Sequence, residues 1–374
     1  MKFIHTGDWQ LGMKASHVGA AASKVREARL LTAKRIGEIA GQHAADFILI
    51  AGDTFDDNGV DRALIQRAVD ILSGYSVPVY IIPGNHDPLV PGSVWEHPAW
   101  RSARTVYVLK EKIPVDVSGG TLFPCPAYEK QSGGDPTAWI PAGNDGIRIG
   151  LAHGTVEGIR QDEPDYPIPR DAAQRAGLDY LAIGHWHSLA LYTGFDAVTR
   201  MAYSGTHEPT KFGERDSGNI LLVEIPSHGS SPVITPIHTG LLTWVQMNEN
   251  IETWGDSDRL FQRVEGISNP NETLLLLSLS GLLFAQDREK IARIQEVISS
   301  RFLYAAMDIS KLIPAPDDDD WVNTVPHGPI HDVALRLKEL SDPAYAGSRP
   351  EGATVDVAAR ALLDLYGIIM ETKR

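Results

Sequence analysis

Phe47-Ile48-Leu49-Ile50-Ala51-Gly52-Asp53 is an unbroken apolar run that ends in Gly-Asp. A short apolar run closed by glycine reads as a strand, with a carboxylate set where the strand hands over to its loop. The pattern recurs in Phe3-Ile4-His5-Thr6-Gly7-Asp8-Trp9-Gln10 and in Val79-Tyr80-Ile81-Ile82-Pro83-Gly84-Asn85-His86-Asp87. Ile147-Arg148-Ile149-Gly150-Leu151-Ala152-His153-Gly154 and Tyr180-Leu181-Ala182-Ile183-Gly184-His185-Trp186-His187 repeat it with histidine. In open α/β and related sheets, sites gather where loops leave the carboxyl ends of strands. Asp8, Asp53, Asn85, His153, His185 and His187, with Gln10 beside them, suit two divalent cations sharing one carboxylate. Metal-assisted phosphoester hydrolysis uses such an arrangement.

Outward from these runs, the first 110 residues alternate strand and helix patterns. Val25, Ala28, Leu31, Ile36 and Ile39 recur at roughly helical spacing. Asp61 is placed to cap a helix to about Ser73, with Leu64, Ile65, Ala68, Val69 and Leu72 inward and Gly74 as its stop. Residues 77–82 read as the next strand. Between 112 and 146, Gly and Pro punctuate short strand-like pieces, with a loop near 131–135, which reads as turns and antiparallel strands. Strands dominate from 147 to about 225, around one short helix at 171–176. The character changes near Thr239-Gly240. Residues 241–310 then read strand, helix (256–264), strand (273–280), helix (287–301). A linker at 314–320 leads to tail helices at about 329–340 and 355–372. Val357, Leu362, Leu365, Tyr366, Ile368 and Ile369 give the second an apolar face wider than a free surface helix needs. The expected divisions are 1–240, 241–313 and 314–374.

At 374 residues the chain suggests a main domain plus an appendage. Apolar residues at 43% and charged residues at 22% are ordinary for a soluble globular protein. The polar motif ending at Asp8 interrupts any signal-peptide core. The richest apolar run, Leu274 to Leu283, contains Ser and Gly and is too short to span a bilayer, so no membrane partner is expected. A single Cys125 excludes an intramolecular disulfide and fits a reducing cytoplasm. The net charge of −14 argues against a chain coated with basic residues for nucleic acid. Bound divalent cations would offset part of it, and a partner protein could carry the basic surface. Part of the acidity is local, in Asp317-Asp318-Asp319-Asp320, which reads as a solvated loop.

The order Asp-x-Gln, Gly-Asp-x-Phe-Asp, Gly-Asn-His-Asp, His-Gly and Gly-His-x-His resembles the calcineurin-like metallophosphoesterases. Within them it is most similar to DNA-repair nucleases of the SbcD type. The narrower likeness rests on Gly52-Asp53-Thr54-Phe55-Asp56 and on the stretch from Tyr203 to Glu214, and the whole covers residues 1 to about 225. It implies an α/β (α+β) fold: a two-sheet sandwich flanked by helices, then a small α+β cap domain and C-terminal helices.

The resemblance also implies roles. Asp8, Gln10, Asp53 and His187 would hold one ion, and Asp53, Asn85, His153 and His185 the other. His86 would approach the phosphate and assist the leaving oxygen, with Asp87 orienting it through its second ring nitrogen. Gln10 departs from the usual histidine. Its hard amide oxygen would favour Mn²⁺ or Mg²⁺ over Zn²⁺, or else Gln10 stands outside the coordination sphere. Among the remaining histidines, His207 stands out because it sits in the Tyr203–Glu214 stretch. Lys14, Lys24, Arg26 and Arg29 after the first motif, and Lys211 and Arg215 after the last, are candidates to meet phosphates flanking the scissile bond.

Three functions stay open. The first is a binuclear DNA nuclease, exo or endo, working in repair or processing with an SMC-like ATPase subunit of the SbcC type and with homodimerisation as an option. The second is a phosphodiesterase or phosphatase on a small molecule or phosphoprotein. The third is a DNA-binding subunit whose catalysis has weakened through Gln10.

Overall fold

A computed structural model describes residues 1–158, 165–194, 196–253, 255–316 and 319–372. The chain divides into two compact units, Met1–Trp244 and Val245–Arg374. In the first, β1 (Lys2–Thr6), α1 (Ala22–Gln42), β2 (Phe47–Ala51), α2 (Arg62–Ser73), β3 (Val79–Ile82) and β4 (Val106–Val108) alternate as the periodicity predicts. There follow β5 (Val115–Val117), β6 (Gly120–Cys125), β7 (Ile147–His153), α3 (Ala172–Arg175), β8 (Tyr180–Gly184), β9 (Ala190–Thr193), β10 (Thr199–Tyr203), β11 (Asn219–Glu224) and β12 (Val233–His238).

These strands form two six-stranded sheets, ordered β12-β11-β1-β2-β3-β4 and β5-β6-β7-β8-β10-β9. The apolar runs explain the layering. A strand sends successive side chains to opposite faces, so a strand buried on both faces must be apolar throughout. In β2, Phe47, Leu49 and Ala51 join Leu122, Ile149, Leu151 and Ala182 in the core between the sheets. Ile48 and Ile50 point the other way, into the core covered by α1 and α2. The outer face of the second sheet packs Leu181 and Ile183 against Ala172 and Ala173 of α3.

Strands β1 to β4 run parallel, as do β6, β7, β8 and β10. The antiparallel reading of 112–146 therefore holds only for β5 against β6. β6 joins β7 in parallel, and residues 126–146 are the crossover that reverses direction twice.

The second unit builds a three-stranded sheet from β13 (Thr243–Ile251), β14 (Thr273–Leu283) and β15 (Tyr304–Pro314). Helices α4 (Asp256–Glu265) and α5 (Arg288–Arg301) cover it through Leu260, Val264, Ile291, Ile294 and Ile298. The strand β15 was not evident in the sequence. Its middle, Asp308–Lys311, is exposed throughout on this edge strand, and Asp308, Ser310 and Lys311 interrupt the apolar pattern there. After it, Asp319–Thr324 forms a 3-10 turn, while Asp317 and Asp318 of the acidic run lie outside the described residues.

Helix α6 (Pro329–Ser341) packs on α7 (Val355–Thr372) around Val322, Ala334 and Leu362, with Leu337 and Leu365 at the margin. The wide apolar face of α7 is thus divided. Leu362 is buried in its own unit and the Tyr366 hydroxyl donates to Pro314 O, while Val357 and Ile368 stay more than half exposed. No helix among the described residues is long and apolar enough to cross a membrane.

One buried charge ties the first unit together. Arg29, on α1, donates through Nε to Trp9 O (2.8 Å) and through Nη1 to Glu208 O (2.7 Å) and Pro209 O (3.2 Å). Its Nη2 reaches Trp9 O (2.5 Å) and Asp8 O (3.3 Å). Nearby, the buried Glu208 carboxylate accepts from Thr32 Oγ1 (2.6 Å) and from the amides of Leu241 (2.8 Å) and Leu242 (2.9 Å). Arg29 is therefore a clamp and not a phosphate contact, as its position after the first motif had suggested. Arg29→Ala should strip partners from four buried carbonyls and destabilise the protein by roughly 3–5 kcal/mol. Urea unfolding checks this, and an unchanged midpoint would show that the clamp carries no stability.

Candidate metal centre

The motif residues lie at the carboxyl ends of five parallel strands. Asp8 follows β1, Asp53 follows β2, Asn85 follows β3, His153 ends β7, and His185 follows β8. Asp8 (φ 52°), Gln10 (φ 47°), Asp53 (φ 48°) and His185 (φ 105°) all adopt the left-handed region that non-glycine residues avoid. Each loop curls sharply so that its side chain turns back over the sheet end. Strain concentrated in this way is a mark of functional sites.

The loops also brace one another through the side chains they present. Asp8 accepts the His185 amide on both oxygens (2.9 and 3.0 Å). Asp53 Oδ1 accepts the His86 amide (2.9 Å), and Asp53 Oδ2 accepts from Gln10 Nε2 (2.9 Å). His153 Nε2 stands 3.4 Å from Asp53 Oδ1 and donates to Asn85 Oδ1 at 2.8 Å. His185 Nδ1 lies 3.2 Å from the same Asn85 oxygen. Potential ligand atoms of Asp8, Asp53 and His153 all fall within 4.8 Å of one another, and all three residues are buried.

The fit to divalent cations can be tested on these distances. Donor atoms about 2.1 Å from a six-coordinate ion lie roughly 3 Å apart at right angles. The spacings of Asn85 Oδ1 to His153 Nε2 and to His185 Nδ1 match that value. Carboxylates, a carboxamide oxygen and imidazoles form a donor set for hard to borderline metals. The residues fit.

Electrostatics points the same way. Burial pushes the Asp8 carboxyl up to about 6, against the pull of His153 and His187. Burial also opposes ionisation of Asp53, but the charge and hydrogen bond of His153 outweigh it and hold Asp53 below the usual carboxylate range. His153 is itself penalised by burial, yet Asp53 and Asp8 raise it to about 10. Its two ring nitrogens face acceptors, Ala51 O (2.8 Å) and Asn85 Oδ1, which is the geometry of an imidazolium. Burial and the neighbouring His153 charge push His185 down to about 3.

Other expected roles come out differently. Asp87 does not meet the His86 ring. Its carboxylate accepts the amides of Phe55 (2.9 Å) and Gly84 (2.7 Å), so it pins the second and third motif loops to each other. The His86 ring is oriented instead by Asp56 O, 2.9 Å from Nδ1, while its Nε2 stands 4.0 Å from Asp53 Oδ2. Gln10 does reach the centre, presenting its amide nitrogen to Asp53. His207 packs on Trp9 (ring centroids 5.1 Å apart) and donates from Nε2 to Arg29 O (2.9 Å), one layer behind Asp8. Lys14 is exposed beside a cavity of about 690 Å³ whose lining mixes Arg26 and Arg67 with Asp56, Asp57 and Asp61. Lys211 and Arg215 are exposed on the loop after His207.

That loop holds a residue the motifs did not reveal. Glu214, 4% exposed in its side chain, faces His187 Nδ1 at 2.9 Å, leaving Nε2 as the ring nitrogen open to a ligand. The carboxylate is fixed by the amide (2.8 Å) and hydroxyl of Thr210. Burial works against the charged forms of both groups, but their mutual hydrogen bond raises His187 and lowers Glu214. A carboxylate behind a ligating histidine fixes its tautomer and orientation. Sequence offered one signal, the presence of Glu214 at the end of the Tyr203–Glu214 stretch.

Residues 1–189 match the family described as calcineurin-like phosphoesterase. The "uncharacterized metallophosphoesterase YhaO" of Bacillus subtilis is 24% identical over 282 residues, covering 71% of this chain and 67% of that one. The SbcD component of the nuclease SbcCD from Staphylococcus epidermidis is 23% identical over 221 residues, covering 50% of this chain and 57% of its own length. Among solved structures, TT1561 of Thermus thermophilus superposes with a TM-score of 0.41 at 10% identity, over 64% of this chain and 98% of its own.

Two measurements test the centre. Asp53→Ala removes the carboxylate to which Gln10, His86 and His153 all converge, so it should abolish metal-dependent hydrolysis and lower occupancy at both ion positions. Elemental analysis finding two tightly held ions in that variant would sink the shared-ligand role. Because Asp53 and Asp8 hold His153 protonated well above the usual imidazole range, a cation that takes its Nε2 at pH 7 should displace the His153 proton. Mn²⁺ affinity should then rise with pH, by up to roughly tenfold per unit. Calorimetry in buffers of different ionisation enthalpy should register about one proton released per protein.

Proposed function

The chain belongs to the calcineurin-like phosphoesterases, and from that premise we propose that it is a binuclear metal-dependent phosphodiesterase acting on DNA. The observation that carries the hydrolytic reading is the convergence on Asp53. Its two oxygens gather Gln10, the His86 amide and His153 from three separate loops, beside Asp8. Two divalent cations, Mn²⁺ foremost and Mg²⁺ as the alternative, would supply Lewis acidity and a nucleophile at neutral pH. Asp8, Asp53, Gln10 and His187 would hold one and Asp53, Asn85, His153 and His185 the other.

The protein's own part is positioning and proton transfer. His86 is exposed where Asp8, Asp53 and His153 are buried and Asn85, His185 and His187 half-buried, and Asp56 O holds its Nδ1–H. Its Nε2 is then free to contact the phosphoryl group and pass a proton to the leaving oxygen. Glu214 keeps His187 in the tautomer that presents Nε2, and Asp8 keeps the His185 loop closed.

The choice of DNA is supported by the likeness to a component of the SbcCD nuclease and by the Tyr203–Glu214 stretch, whose Glu214 backs His187. Lys14, Lys211 and Arg215, all exposed, are the candidate contacts to flanking phosphates. With a net charge of −14 the chain is poorly suited to capture DNA unaided. An SMC-like ATPase partner would supply that capture, docking on the exposed apolar residues of the tail helices: Ile330 and Val333 on α6, Val357 and Ile368 on α7. The same charge favours the second reading, a phosphodiesterase on a small substrate.

Comparing a labelled oligonucleotide with bis-p-nitrophenyl phosphate, both with Mn²⁺, separates the two. The nuclease reading expects cleavage of both and a strong preference in kcat/KM for DNA once the partner ATPase is added. Hydrolysis of the small diester with inert DNA under both conditions would move the assignment to small substrates. His86→Ala should retain both ions yet lose about 10²- to 10⁴-fold in rate on either substrate. Loss of metal in that variant would make His86 a ligand.

A further inference from the structure

Asn85 can serve as a ligand only if its carboxamide presents oxygen, not nitrogen, to the cation. The two ends of an amide have nearly the same shape and differ only in donating or accepting hydrogen bonds. Something outside the group must therefore choose. Asn85 Nδ2 donates to Asp165 Oδ2 at 3.1 Å and to the carbonyl of Lys130 at 3.5 Å. An ionised carboxylate and a carbonyl accept only, so both hold the nitrogen on their side. Turning the amide over would set Oδ1 against these two acceptors and aim the amide nitrogen at His153 and His185.

Asp165 is held in place to act in this way. Its Oδ1 accepts the Ser132 amide (2.8 Å). Its carbonyl accepts the amide of Thr155 (2.9 Å), two residues after His153, and the next amide, Tyr166, donates to Ser132 O (2.8 Å). The segment carrying Lys130 and Ser132 and the segment entering at Asp165 are thereby stapled together behind the Asn85 side chain.

We propose that Asp165 is a positioning residue for the metal centre, selecting the Asn85 carboxamide orientation that turns Oδ1 toward the cation shared with His153 and His185. This rests on the reading of Asn85 as a ligand. Outer partners of this kind typically contribute 10- to 100-fold in metal affinity.

The experiment is a calorimetric Mn²⁺ titration of chelator-stripped wild type, Asp165→Ala, Asn85→Asp and the double variant. Asp165→Ala should weaken one of the two ions by 10- to 100-fold and leave the other, held through Asp8 and His187, unchanged. Asn85→Asp supplies a ligand whose two oxygens are equivalent, so no orientation remains to be chosen, and Asp165 then faces it as a like charge. In that background Asp165→Ala should leave affinity unchanged or raise it. An equal loss in both backgrounds would mean that Asp165 merely braces the loops, and the proposal would fall. Should the alanine variant not fold, Asp165→Asn keeps the volume and one acceptor, and the same contrast between backgrounds is expected at smaller size. Two ions bound by wild type, with no change in Asp165→Ala, overturn this proposal and leave the metal centre standing. A wild type that binds no Mn²⁺ overturns both.

Discussion

Everything at the centre depends on how closely the ends of the two sheets approach. A side-chain carbon on Gly184 would sit 1.9 Å from Ala51 O, and one on Gly52 would sit 2.5 Å from His153 Nδ1. No side chain fits between β8 and the end of β2, so backbone meets backbone. His153 seals the junction by donating from one sheet to Ala51 O of the other. Only because of this contact do carboxylates from β1 and β2 share a space with imidazoles from β7 and β8. The glycines in these motifs answer to a limit of space as much as to the turns they make.

Bringing the groups so close under burial makes their charges interdependent. Asp8 and Asp53 are equally buried, yet burial prevails at Asp8, which is held up, while His153 prevails at Asp53, which is held down. The difference follows contact: His153 Nε2 is 3.4 Å from Asp53, whereas Nδ1 is 4.0 Å from Asp8 and is engaged by Ala51 O. The imidazolium plays the part of a cation among carboxylates. Buried charges of one sign require a counter-charge at short range, and a divalent ion meets that requirement more fully than one proton does.

The strands were legible because parallel strands covered on both faces must be apolar at every position, and few other segments are. The candidate metal motifs were legible because each begins at the end of such a run, or at most two residues beyond it. Neither argument reaches side chains whose meaning lies in a distant contact. Glu214 reads as one more charge in a loop until the chain brings it 27 positions back to His187. Arg29 stood among plausible phosphate contacts, and only its burial against carbonyls from Trp9 and Glu208 shows it to be a clamp. Asp87 sits beside His86 in sequence, but the turn at Gly84 directs it to backbone amides instead. The edge strand β15 escaped notice because solvent on one side lets its polar residues break the apolar pattern.

The order of strands in the first sheet has a bearing on how the protein is made. β1 carries the loop of Asp8, yet one of its two neighbours is β11, paired in antiparallel register from Lys2 against Glu224 to His5 against Leu221. More than two hundred residues separate them, and the chain's amino group returns to Ile225 O at 3.1 Å. During synthesis β1 and β2 can pair early, but β1 presents an open edge until β11 emerges. Late, non-local pairing of this kind slows folding and leaves apolar strand edges available to other chains meanwhile. A nascent chain halted near residue 189, where the family likeness ends, would hold all seven proposed ligand residues and still lack the strand that closes the sheet beneath Asp8.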